Sequence, residues 1–134
     1  MQSKLIYNRA RASQLLAFDG LQWDKCRCTD LDVSLDWQGR TFIFVEIKTD
    51  GTSITLGQKY HLEALVKAIR AGGKVAYAIT AYHNTDVTED VLVADCRTGK
   101  VYDGIVWHPT DTTERLCETI NGLYDEHLDG AQKA

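Results

Sequence analysis

The sequence predicts an α/β domain, a mixed sheet flanked by helices. Three observations carry this. Residues 31–37 alternate strictly, with Leu31, Val33, Leu35 and Trp37 on one side and Asp32, Ser34 and Asp36 on the other. That is the pattern of a half-buried antiparallel strand. Residues 41–48 return after a turn at Gln38-Gly39-Arg40 and are apolar on both sides, Ile43, Val45 and Ile47 against Phe42 and Phe44. A strand apolar on both faces belongs in the middle of its sheet. Leu62, Leu65, Val66 and Ile69 then recur at helical spacing before a further strand, KVAYAIT at 74–80. Strand, helix, strand in that order predicts a crossover joining two parallel strands.

Taken in order, residues 3–18 read as a first helix, with Leu5, Ile6, Leu15, Leu16 and Phe18 as its apolar side and Gly20 as its cap. Residues 21–28 read as a short extended entry to the sheet, and Asp30 and Asp32 open its first strand. The second helix starts near Thr55 or Gly57 and runs to Ala71, with Glu63 and Lys67 placed for an i,i+4 ion pair and Gly72-Gly73 as its stop. A polar loop over 81–89 holds His83. Residues 90–96 (DVLVADC) read as a strand, 97–100 as its turn and 101–107 as its antiparallel partner. Pro109 marks a break before a last helix, capped by Asp111 or Thr112 and running to about His127. Leu116, Ile120, Leu123 and His127 form its inner stripe, and 129–134 read as a frayed tail.

A chain of 134 residues bounds this to one domain covering 1–134. No apolar h-region follows Met1, and no apolar run is long enough for a bilayer span. The expectation is a cytoplasmic protein with no membrane partner. The formal net charge is −4, but it is unevenly spread. Residues 1–74 carry 11 Lys and Arg against 8 Asp and Glu, net +3; residues 75–134 carry 4 against 11, net −7. The basic half has the sign that attracts nucleic acid. Cys26, Cys28, Cys96 and Cys117 fit no zinc spacing, since Cys26-Arg-Cys28 is C-x-C without a second pair. Reduced thiols are expected. Neither a phosphate-binding glycine loop nor a serine-hydrolase pattern is present.

The chemistry sits at the ends of the first two long strands. Alternate residues share a face, so Asp32 points with Asp30, and Glu46 with Lys48. A hairpin that brings those faces together gathers two carboxylates and an amine. Charges at the end of a buried strand are costly unless paired or bound to a cation. Asp32 needs the shorter hairpin to face Glu46; Asp30 stays as the accessory alternative. Gln58 lies at the start of the following helix, aimed at the strand end where Lys48 emerges. Hard oxygen ligands of this kind suit Mg²⁺, with Mn²⁺ as a substitute. A lysine beside them can offset charge on a phosphate in hydrolysis.

This order resembles the PD-(D/E)XK nuclease superfamily: an acidic strand start at Thr29-Asp30-Leu31-Asp32, a tight hairpin, a strand ending Glu46-Ile47-Lys48, and Gln58 opening a helix. The superfamily includes type II restriction enzymes, Holliday-junction resolvases and phage-encoded nucleases. The matching part covers roughly residues 30–80. The resemblance implies a restriction-endonuclease-like αβββαβ core, a central mixed sheet flanked by helices, here extended by a C-terminal β-hairpin and helix. It implies a divalent-metal-dependent deoxyribonuclease, with Asp32, Glu46, Lys48 and Gln58 catalytic. The metal ligands it implies are Asp32, Glu46 and the backbone carbonyl of Ile47. Arg9, Arg11, Lys59 and His61 are candidate DNA-phosphate contacts. The residue before Asp32 is Leu31 where the motif has Pro, residues 3–18 carry no Glu, and Leu62 stands where some branches carry Tyr. DNA is the expected partner, as is a second copy of the chain or a partner protein. A bacterial or phage-encoded source follows by analogy. The alternatives are a nuclease-fold module that binds DNA or a partner subunit with little or no catalysis, and an unrelated α/β domain with ordinary surface charges.

Overall fold

The computed structural model describes residues 17–27, 29–111 and 113–128. The expected first helix, with Arg9 and Arg11, lies outside the described residues apart from Ala17 and Phe18, which are not helical; Cys28, Thr112 and the 129–134 tail also lie outside them. Among the described residues, no helix is long and apolar enough to cross a membrane.

β1 (Gln22–Trp23) and β2 (Cys26–Arg27) form a small antiparallel sheet of their own, with Lys25 at φ 58 in the turn. This corrects the expectation that 21–28 enters the main sheet: the chain reverses after two residues and pairs with itself. β3 (Val33–Trp37) and β4 (Thr41–Thr49) form the expected hairpin, in register from Val33 opposite Val45 to Trp37 opposite Thr41. Asp30 and Asp32 lie just before β3 rather than on it. Gln38 and Gly39 both take positive φ, 54 and 68, in a turn closed by Arg40 N–H to Trp37 O, and Asp36 Oδ1 accepts the Gly39 N–H at 2.7 Å. α1 (Leu56–Ala71) leads into β5 (Val75–His83), which runs parallel to β4 from Thr41 opposite Val75 to Thr49 opposite His83. His83 thus ends a strand instead of lying in a loop.

The second half corrects the sequence reading further. Residues 90–96 are not a strand; they carry only a 3-10 turn at Val93–Asp95, with Val91 and Leu92 exposed. The strand is β6 (Arg97–Tyr102), antiparallel to β5, and β7 (Trp107–Pro109) pairs with β6 at the sheet edge. Asp103-Gly104 makes the hairpin turn, with Gly104 at φ 99 and Asp103 Oδ1 accepting the amides of Ile105 and Val106. Pro109 therefore ends an edge strand, where a missing donor is tolerated. α2 (Leu116–Leu128) starts later than expected, because Asp111 accepts from the Thr113 amide and hydroxyl in a local turn of its own.

The main sheet runs β3-β4-β5-β6-β7 and is mixed. One face packs Phe44, Ala76, Ala78 and Tyr102 under Leu62 and Val66 of α1. The other packs Ile43, Val45, Tyr77, Ile79, Ala81 and Val101 with Leu116 of α2, and Ile120 and Leu123 close over it. His127 reaches the Tyr77 hydroxyl. β4 and β5 are apolar on both faces because a helix covers each.

Candidate active site

Residue by residue, the fold gathers the charged ends of the hairpin. Continuing the β3–β4 register by one step puts Asp32 opposite Glu46, on the face that carries Phe42, Phe44 and Lys48. The ladder has stopped there, and the Asp32 side chain replaces it: Oδ2 accepts the Ile47 N–H at 2.7 Å. The Asp32 charge pushes the Glu46 carboxyl up. Asp30 acts on Glu46 only as a weaker, through-space charge. Of the two aspartates, Asp32 is the one whose side chain the fold ties to the strand end beside Glu46.

Glu46 is the buried centre of the cluster, 4 % exposed. Gln58 Nε2 donates to its Oε1 at 3.0 Å, and Lys48 Nζ stands 3.9 Å from the same oxygen. The capping box of α1 sets Gln58 in place. Its backbone N–H reaches Thr55 Oγ1 at 3.1 Å, and its Oε1 accepts the Thr55 N–H at 3.0 Å. With Oε1 so engaged, the amide nitrogen turns to Glu46. The residue that starts the helix thus also positions the carboxylate.

Burial is the largest cause pushing the Glu46 carboxyl up, to about 7; Asp32 adds to it, and Lys48 opposes it. A carboxylate held so far from its ordinary value wants a proton or a cation. The residues present fit a divalent ion with hard-oxygen preference. Asp32 and Glu46 offer carboxylates from opposed positions of the hairpin. The Ile47 carbonyl leaves the strand on the same side as its N–H, the side where Asp32 sits. Among the described residues no group of three or more His, Cys, Asp or Glu stands ready for a metal. The protein would thus supply two carboxylates and one carbonyl, leaving the remaining positions to water or substrate, as Mg²⁺ usually does.

The other sequence candidates divide. Lys59 lies in the first turn of α1 and lines a cavity beside the cluster. His61 is half-buried on the same helix, and no hydrogen bond among the described residues joins it to the four. Arg9 and Arg11 lie outside the described residues. Glu63 does not pair with Lys67; its Oε2 accepts from Trp107 Nε1 at 2.7 Å. Thr80 and Tyr82 stand in register beside Glu46 and Lys48 on β5, and Lys100 follows on β6. Nothing in their local sequence marks these three, because the strand that carries Lys100 reads as a turn. No family model, no curated protein and no solved structure matches the chain.

Proposed function

We propose that the protein is a divalent-metal-dependent DNA endonuclease with a restriction-endonuclease-like core, a member of the PD-(D/E)XK group. The observation that carries the reading is the gathering of Asp32, Lys48 and Gln58 around the buried Glu46 carboxyl at the end of a central strand. Four residues spread over 27 positions meet where chance surface charges would stay apart and solvated. Asp32, Glu46 and the Ile47 carbonyl would hold Mg²⁺ or Mn²⁺, which when bound would supply Lewis acidity toward the phosphodiester and a more acidic water. Lys48 then offsets charge that builds on the phosphate and holds the attacking oxygen in line. Gln58 holds one oxygen of the Glu46 carboxyl through its amide nitrogen. Burial of Glu46 keeps bulk water off one side of the site.

The test is cleavage of branched, single-stranded and duplex DNA with Mg²⁺, Mn²⁺ or EDTA, by wild type, Asp32→Asn and Lys48→Ala. Metal-dependent cutting that both substitutions abolish is the expected result. Divalent-cation binding without cutting of any substrate overturns the catalytic reading in favour of a DNA-binding or partner-binding module. Cutting that survives both substitutions places the chemistry elsewhere.

A further inference from the structure

A cavity of about 280 Å³ adjoins the carboxylate cluster, lined by Ser53, Ile54, Lys59, Thr80, Tyr82, Lys100 and Trp107. It is close to the lower end of ordinary ligand pockets, about 300 Å³. Its place is fixed by register, since Thr80 and Tyr82 are the β5 neighbours of Glu46 and Lys48. Besides β5 and the Ser53–Ile54 segment, three elements line it: α1 gives Lys59, β6 gives Lys100 and the edge strand β7 gives Trp107.

Each wall is held by contacts that leave the interior open. β6 carries one extra residue where it passes Thr80, so that Gly99 and Lys100 both face it. Such a bulge takes an amide out of the ladder. Here Thr80 Oγ1 accepts that amide, Lys100 N–H, at 2.9 Å. A Cβ on Gly99 would lie 2.5 Å from Tyr82 Cε2 and 2.7 Å from Thr80 Oγ1. Glycine therefore lets the strand approach while the Tyr82 ring stays in the cavity wall. The Trp107 ring lies 5.1 Å from that of Tyr102, and its N–H is spent on Glu63. What it turns to the cavity is its apolar ring. Among the described residues, neither Lys59 nor Lys100 is paired with a carboxylate. Two unpaired ammonium groups and a fixed indole around one small space suit an anion joined to a planar ring.

We infer that this cavity holds the nucleotide next to the cleaved bond, its phosphate on Lys59 and Lys100 and its base against Trp107. The assignment rests on the nuclease reading for its place on the strand, but not for its ligand chemistry. Base stacking on an aromatic side chain tolerates any base, so the subsite favours an unpaired nucleotide without reading sequence.

The experiment measures binding of a short oligo-deoxythymidylate by tryptophan fluorescence in EDTA, across a salt series, in a Glu46→Gln background. Lys59→Ala and Lys100→Ala are compared with the parent, with Lys100→Gln as the milder variant and circular dichroism to confirm folding. Each lysine removed should weaken binding about tenfold. It should also lower the slope of log affinity against log salt by about 0.7. Trp107→Phe should remove the quenched part of the emission. Unchanged affinity in both lysine variants overturns the subsite, even if the wild type cleaves DNA. Competition by inorganic phosphate as strong as by the oligonucleotide overturns the nucleotide assignment and leaves a bare anion site. Binding that depends on the lysines in a wild-type protein that cuts nothing supports the subsite and removes the nuclease reading.

Discussion

At the scale of single residues, Glu46 sets the terms. Its folded value of about 7 lies above the ordinary 4.5, so the folded state holds the proton more tightly than the unfolded chain. The stability this contributes is fully present below pH 4.5 and is lost as pH rises through 7. Urea unfolding of the metal-free protein in EDTA should therefore show stability falling across that window. Glu46→Gln should flatten the profile, because its amide never ionises. Lys48 bears on a different quantity. It sits at the edge of the cluster and is half-buried, so Lys48→Ala should leave folding nearly unchanged. Single-turnover cleavage should fall by about a hundredfold or more, the scale of losing one group that stabilises transition-state charge.

At the scale of elements, the α1 N-terminus and the β6 bulge are the two devices that build the site. Thr55→Ala removes a cap and should cost about 1 kcal/mol in urea unfolding, while cleavage stays within a few-fold. Gln58→Ala removes the reciprocal bond and the partner of Glu46 together, so it should lower stability by a similar amount and cleavage as well. Gly99→Ala should cost about 1–3 kcal/mol, because the new methyl meets Tyr82 and Thr80. These elements were unequally legible in the sequence. The β3–β4 hairpin and the β4–α1–β5 unit show in alternation and helical spacing, since both faces of those segments are decided by burial. Asp32 opposite Glu46 follows from the hairpin register alone. β6 does not show, because a glycine inside a strand looks like a turn unless the bulge is known. Asp103-Gly104, the actual turn, sits inside what alternation reads as a strand. Val91 and Leu92 imitate a strand yet end up exposed. Lys100 and Trp107 reach the cavity only through the misread β6–β7 hairpin, so no local pattern could have placed them.

At the scale of the whole molecule, a five-stranded mixed sheet carries one helix on each face, and the site lies where β3, β4 and α1 meet at one end. That position is rigid, because β4 is paired on both edges and buried on both faces. Removing core volume far from the charges tests this independence. Ile43→Ala, fully buried on the α2 face, should cost about 2–5 kcal/mol of stability. Its metal affinity should stay within a few-fold below the unfolding temperature, measured by the same titration used for the wild type. The central claim is that Asp32 and Glu46 act together as a divalent-cation site. It is tested most directly by calorimetric titration with Mn²⁺ at neutral pH, comparing wild type with Asp32→Asn and Glu46→Gln in two buffers of different ionisation heat. The account predicts saturable binding by wild type, proton release as Glu46 gives up its proton, and loss of binding in both variants. Absence of binding by wild type, or binding that neither substitution weakens, would contradict it.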